Sequence, residues 1–192
     1  MLSLLKDIDD FDVILASQSP RRYELLKMIG LNFKVRPSHI EEKLSDDLSP
    51  VEYALSNARK KGQHIAQLSP ESLVISADTI VVHKNDILEK PTDEKHARDI
   101  LRKLSGNTHE VITAFGISLQ SKNKNVFDHE ITKVTFRNLS QKEISVYTNT
   151  GESFDKAGGY GAQGTGSLLI KRVEGCFFNV VGLPLSSFFF DP

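Results

Sequence analysis

The order of its hydrophobic periodicities limits this chain more than any single residue does. "DVILAS", residues 12–17, is a short apolar run that reads as a buried strand. After it, Leu25, Leu26 and Ile29 recur at helical spacing. "LNFKVRP" then alternates like a second strand, with the polar "SHIEEK" as its exit. Helical period returns from Ser49 to about Leu68. "SLVISADTIVVH" is strand-like, "KND" turn-like, "ILEK" a returning arm, and "DEKHARDILRKLS" a helix with Ala97, Ile100, Leu101 and Leu104 as its stripe. Thereafter hairpins take over. "HEVITAFGISLQ" and "DHEITKVTFRN" read as strands around the polar "SKNKN", and "GSLLIKRVEG" and "FFNVVG" as late strands. Alternation first and hairpins later predict one α/β domain over residues 1–192 with a mixed sheet.

The punctuation agrees with that reading. Ser49 and Glu52 form a capping box with Pro50 at the first helical position, and Ser140 and Glu143 form a second, with Leu139 and Ile144 spaced as a hydrophobic staple. Thr92 is expected to cap the helix that Gly106 stops, and Pro184 to open a short terminal helix.

Composition excludes several classes of function. With 24 Lys and Arg against 25 Asp and Glu there is no broad basic field, so nucleic acid is not an expected partner. Cys176 is the only cysteine, which rules out an internal disulfide and a cysteine zinc cage. "MLSLLKDIDDF" lacks the basic start of a signal peptide, and apolar runs such as "FFNVVGLPL" are too short to span a membrane. A cytoplasmic protein without a membrane partner is expected.

Candidate chemistry begins at "LASQSPRRYELLKMIG". Ser19 suits an N-cap, Pro20 the first helical position and Gly30 the stop. Yet Arg21 and Arg22 occupy the first turn, where the helix dipole is positive and a cation costs roughly 0.3–1 kcal/mol. Either both bend into solvent, or an anion such as phosphate sits among Ser17, Ser19, the arginines and the free backbone N–H groups. On the dipole argument, removing Arg22 should leave stability unchanged or slightly raised.

Asp78 interrupts the apolar run Leu73–Val82. A carboxylate there either faces solvent or must be paired, hydrogen-bonded or metal-bound. Lys90, on the returning arm, comes back near its level, and Lys61 falls on the apolar stripe of the preceding helix, where a lysine either snorkels outward or reaches an anion. Glu41 and Glu42 follow the second strand: such an acidic pair in a loop is either solvated or, near a phosphate site, suited to Mg²⁺, which takes one or two protein carboxylates plus phosphate oxygens and water. "AGGYGAQGTG" matches a dinucleotide fingerprint in spacing, but no apolar strand precedes it and no helix follows, so its glycines imply tight turns around Gln163, an amide able to read a base edge. Cys176 makes no convincing nucleophile, the histidines lack metal-ligand spacing, and His109 reads as an ordinary residue at a strand start.

"LASQSPRR", "IEE", "SADTIV", "LEKP", "RKLSG", "VTF" and "DKAGGYGAQG" followed by "VVGLPL" occur in one order. Together they resemble the Maf family of nucleoside triphosphate pyrophosphatases, from about Ile14 to the last helix. The resemblance implies an α/β fold with a twisted mixed sheet and two lobes around a cleft, similar to that of the inosine triphosphate pyrophosphatases. It also implies hydrolysis of nucleoside triphosphates to monophosphate and diphosphate with a divalent cation, Mg²⁺ or Mn²⁺, and a possible homodimer. By the same resemblance Asp78 matches the proton acceptor and a metal ligand. Ser17, Arg22, Glu42, Lys61 and Lys90 match the polar residues around phosphates and metal, with Lys60 an alternative to Lys61. Arg21, Thr79 and Gln163 match the dTTP/UTP subgroup at its three discriminating positions, where the 7-methyl-GTP subgroup carries Trp, Gln and Glu. Other readings of such a chain are a non-enzymatic regulator of septum formation and a house-cleaning enzyme for modified nucleotides.

Overall fold

The computed structural model describes Ile8, residues 11–41 and residues 47–190. Its strands are β1 (Val13–Leu15), β2 (Lys34–Val35), β3 (Leu73–His83), β4 (Asp86–Leu88), β5 (Thr108–Leu119), β6 (Lys124–Phe136) and β7 (Ile170–Glu174). Its helices are α1 (Pro20–Met28), α2 (Pro50–Leu68), α3 (Glu94–Leu104), α4 (Gln141–Thr148), α5 (Phe177–Val181) and α6 (Leu185–Phe190). The strands form one sheet in the order β2-β1-β3-β5-β6-β7, with β4 also paired to β3. β1 runs parallel to β2 and β3, while β4 is antiparallel to β3 and β7 to β6, so the sheet is mixed as expected. Among the described residues, no helix is long and apolar enough to cross a membrane.

Local signals explain most boundaries. Both capping boxes form, at Ser49/Glu52 and Ser140/Glu143. Gly30 (φ +79°) ends α1, its N–H reaching the Lys27 carbonyl at 2.9 Å. The β3–β4 hairpin turns through Lys84 and Asn85, at φ +52° and +69°, the left-handed pair that matches strand twist.

Three expectations are corrected, and that for Ser19 as an N-cap holds in position but not in its side-chain bond. β2 is only two residues long and both are exposed. The cap of α3 is Asp93, whose carboxylate accepts the His96 N–H at 2.7 Å, and not Thr92. Ser19 occupies the N-cap of α1 without a side-chain capping bond. "FFNVV" is helix α5 and not a strand. A five-residue apolar run has no periodicity to separate the two. Glycines at φ +121° (Gly175) and +129° (Gly182) isolate it. Asn179, fully buried, fixes it by donating to the Val111 carbonyl and the Thr132 hydroxyl, both at 2.9 Å.

The chain divides into two compact units. The first comprises residues 1–78, 113–130 and 182–192, the second residues 79–112 and 131–181. In the first, Ile14, Ala16, Ile65, Ala66 and Val74 pack α2 against β1 and β3. In the second, the core gathers Val81, Leu101, Leu104, Val111, Phe136, Ile144 and Tyr160 among others. His109 is buried in this second core, its Nε2 2.6 Å from the Tyr160 hydroxyl and its ring edge-on to Phe136. Burial, with His83 nearby, lowers its pKa to about 4.

That shift fixes a pH dependence. Below its ordinary value of 6.5, the unfolded imidazole takes a proton that the folded one refuses down to about 4. Stability from this group is therefore intact above pH 6.5 and lost as pH falls, by about 2 kcal/mol at pH 5. Urea titrations at pH 7.5 and 5 should show the loss, and His109→Gln should flatten it. An equal slope in the variant would assign the effect to other groups.

Candidate active site

β1 and β3 are parallel neighbours, with Leu15 opposite Ile75 and the Ala16 N–H donating to the Ile75 carbonyl at 2.8 Å. β1 ends there, while β3 continues and pairs with β4 only from Val81. Asp78 lies midway between those two pairings, and Ser17 two residues beyond the end of β1. Both sit past the carboxyl end of a parallel strand pair, where open α/β sheets bind ligands.

The helix that follows β1 brings in Arg22. It does not bend into solvent: it is 8% exposed, its Nη1 donates to Ser17 Oγ at 3.0 Å and its Nε to the Gly182 carbonyl at 2.8 Å. Ser17 Oγ also accepts the Ser19 N–H at 3.2 Å. The guanidinium is thus held at the start of α1 by a hydroxyl and a carbonyl. Arg21, half-buried, shares that first turn.

α2 supplies the partners of Asp78. Lys61 Nζ lies 2.6 Å from Asp78 Oδ1, and Asn57 Nδ2 donates to Oδ2 at 3.2 Å. The carboxylate is 6% exposed and the lysine 12%, so Asp78 faces inward and Lys61 reaches it instead of snorkelling. Lys60 is exposed. A close approach of helix to strand makes this reach short. The Ser76 hydroxyl donates to the Ala58 carbonyl at 2.9 Å, and a Cβ on Gly62 would stand 2.6 Å from Ser76 Oγ. Asn57 was not singled out by the sequence reading. Its signal is there: it is polar on the stripe Ala54, Ala58, Ile65, four residues before Lys61.

The remaining candidates belong to the second unit. Thr79 follows Asp78 on β3 and is half-buried. Lys90 is exposed, two residues beyond the last β3–β4 pair, at the position that the continued register sets opposite Thr79. Gln163 is exposed in the glycine loop. That loop is organised by Glu152, also unflagged by sequence. Its carboxylate accepts from the Thr165 N–H at 3.2 Å, the Thr165 hydroxyl, the Gly166 N–H at 3.3 Å and the Tyr147 hydroxyl at 3.2 Å. Partial burial works to raise the carboxyl's pKa, but the bonds from Thr165, Gly166 and Tyr147 outweigh it and hold it below the ordinary range.

Glu42 falls outside the described residues. Among those described, no three His, Cys, Asp or Glu side chains cluster to cage a metal. One buried carboxylate with unused lone pairs suits Mg²⁺, which keeps few protein ligands and completes its shell with phosphate and water. The donor set therefore fits a cation that arrives with its substrate.

A buried carboxylate on β3 and a helix-borne arginine bonded to a serine just beyond β1 define an α/β protein whose charged side chains gather past the carboxyl ends of two parallel strands. The chain belongs to the Maf family, whose profile, described as "Maf-like protein", matches residues 12–189. It is 46% identical over 174 residues to the dTTP/UTP pyrophosphatase of Bacillus pumilus, covering 91% of each chain. It is 47% identical over 174 residues to that of a Geobacillus species, covering 91% of this chain and 92% of the relative. Clostridioides difficile has another, 43% identical over 175 residues, covering 91% and 90%. In structure the chain is similar to the Staphylococcus aureus Ham1 protein, with TM-score 0.51 at 15% identity over 83% of this chain and 79% of that one. That likeness concerns the fold alone.

The Arg22 geometry reverses the expectation that its removal is neutral. Arg22→Ala removes the Nε donor of the Gly182 carbonyl and leaves Ser17 Oγ with the Ser19 N–H alone, which should cost about 1–3 kcal/mol of stability. Denaturant titration reads this directly. An unchanged midpoint would return Arg22 to a purely ligand-binding role.

Proposed function

We propose that this chain hydrolyses dTTP and UTP to the nucleoside monophosphate and diphosphate by attack of water at the α-phosphorus. Asp78 carries the reading: a carboxylate buried in an apolar strand, its two oxygens held by Lys61 and Asn57 of α2, beyond the end of β1 where Ser17 and Arg22 converge. The names of relatives above 40% identity over nine-tenths of the chain support the same reaction.

In this mechanism Asp78 accepts the proton of the attacking water. The new bond joins that oxygen to the α-phosphorus, the bond to the α–β bridging oxygen breaks, and diphosphate leaves with the electron pair. Lys61 neutralises the buried carboxylate between turnovers and orients it with Asn57. Arg22, Ser17 and Lys90 bind the phosphates, whose charge suits the N-terminus of α1. Asp78, with Glu42, would hold a divalent cation, Mg²⁺ or Mn²⁺, which supplies charge neutralisation on the phosphates when bound. Arg21, Thr79 and Gln163 select the base. Gln163 both donates and accepts, matching a pyrimidine edge that offers a carbonyl and an N3–H. The protein acts in the cytoplasm on free nucleotides, without nucleic acid or membrane, and a homodimer is the assembly to look for by sedimentation.

Asp78→Asn preserves shape and should lower kcat by roughly 10²–10⁴-fold. Diphosphate release with Mg²⁺ measures it, beside a denaturation curve showing the variant folded. Wild-type turnover by that variant would end the assignment of Asp78.

Specificity has its own test. kcat/KM should be high for dTTP and UTP and low for 7-methyl-GTP, and the triple change Arg21→Trp, Thr79→Gln, Gln163→Glu should shift preference toward 7-methyl-GTP. A folded triple variant that keeps the original ranking at undiminished activity would sink the role of these residues. A panel without any turnover favours the non-enzymatic reading, and one led by modified nucleotides the house-cleaning reading.

A further inference from the structure

We propose that Glu152 is the positioning residue of the base-selecting loop: one carboxylate fixes Gly161–Gly166 and thereby sets where Gln163 stands. The proposal rests on the reading of Gln163 as the base contact. Glu152 itself is too far along the chain from the candidate phosphate residues to have been grouped with them, and it does its work through backbone.

The loop returns on itself. A Cβ on Gly166 would stand 2.2 Å from the Gly161 carbonyl oxygen, so its two ends touch and only glycine allows the contact. Gln163 is exposed within the closed turn, just before Gly164, which sits at φ +67°. Both ends answer to one side chain. At the far end Glu152 Oε2 accepts the Thr165 N–H at 3.2 Å and the Thr165 hydroxyl, while Oε1 accepts the Gly166 N–H at 3.3 Å. At the near end Oε1 accepts the Tyr147 hydroxyl at 3.2 Å, and that same oxygen of Tyr147 accepts the Gly161 N–H at 3.2 Å.

The glycines make room for this carboxylate. Cβ atoms on Gly161 and Gly164 would stand 3.0 and 3.2 Å from its oxygens. The segment bearing Glu152 is tethered in turn: Lys156 Nζ donates to its carbonyl at 2.7 Å and to Asp155 at 2.5 Å. Four donors converge on two oxygens, an arrangement that only an ionised carboxylate satisfies, since an amide would turn two N–H groups toward other donors. Loop amides without those acceptors lose their order, and an exposed glutamine on a disordered loop discriminates poorly.

Glu152→Gln tests this, with amide hydrogen exchange and steady-state kinetics on the full chain. Exchange at Gly161, Thr165 and Gly166 should rise about tenfold or more, with the protection of β3 and α2 retained. KM for dTTP should rise about tenfold while kcat stays within about threefold, and the preference for dTTP over 7-methyl-GTP should fall by about the same factor. Adding Gln163→Ala should then change the preference no further. Thr165→Val, which removes one hydroxyl donor, should give a weaker form of each effect if Glu152→Gln folds poorly, and Thr165→Ser should restore wild-type behaviour. Unchanged exchange at the three amides, or equal losses in kcat and kcat/KM, overturns the role of Glu152. If Gln163→Ala alone leaves the preference intact, the base-reading assignment is what fails, and the amide exchange still decides whether Glu152 holds the loop.

Discussion

A carboxylate placed in a buried strand must be given a partner, and much of the first unit follows from that requirement at Asp78. Leaving the charge uncompensated would cost several kcal/mol, and breaking a buried pair typically costs 3–5. The partner does not come from β3 itself, where Ser76 on the same face spends its hydroxyl on the Ala58 carbonyl and Ile80 is apolar. It comes from α2, and only because Gly62 and Ser76 let helix and strand approach closely enough for a lysine held on the apolar stripe to arrive at 2.6 Å. The capping box at Ser49 fixes where α2 begins, and hence the phase that turns Asn57 and Lys61 toward the sheet together. A hydrophobic pair at these positions would pack as well or better. Retaining the ions gives the strand an acceptor at the edge of a ligand site, which an apolar pair could not provide.

Arg22 shows the same economy in a different place. A cation in the first turn of a helix opposes the dipole. The structure offsets this with two acceptors, Ser17 Oγ and the Gly182 carbonyl, drawn from positions 5 and 160 residues away in sequence. The arginine therefore joins the start of α1 to the approach of α6 within one unit. Its positive charge stands at the helix N-terminus, the end of the dipole that favours an anion. The structural role of this side chain is thus set by two bonds, separate from any contact it makes with a ligand.

Much of this was legible in the sequence because it is local. Capping boxes, the α1 stop at Gly30, the β3–β4 turn and the stripe of α3 all announce themselves within a few residues. The identities of Ser17, Arg22, Lys61 and Asp78 were also recoverable, as residues in the wrong surroundings: cations at a positive helix end, a carboxylate in an apolar run, a lysine on an apolar stripe. What escaped is non-local. Arg22's acceptor at Gly182 depends on a contact across most of the chain. Asn57 looked like one more polar residue until Asp78 was placed opposite it. Glu152 stands outside the glycine-rich motif it organises, and "FFNVV" was ambiguous because helix and strand bury such a run equally well.

The division of the chain sorts these groups by task. Ser17, Arg22, Lys61, Asn57 and Asp78 belong to the first unit, and Thr79, Lys90, Glu152 and Gln163 to the second, with the boundary falling between two consecutive residues of β3. Each unit has its own core and its own polar lattice: the Asp78–Lys61–Asn57 and Arg22–Ser17–Gly182 contacts in one, the Glu152-centred loop in the other. Under the proposed roles, the group that selects the base and the carboxylate that accepts the proton of water are therefore anchored by different side chains.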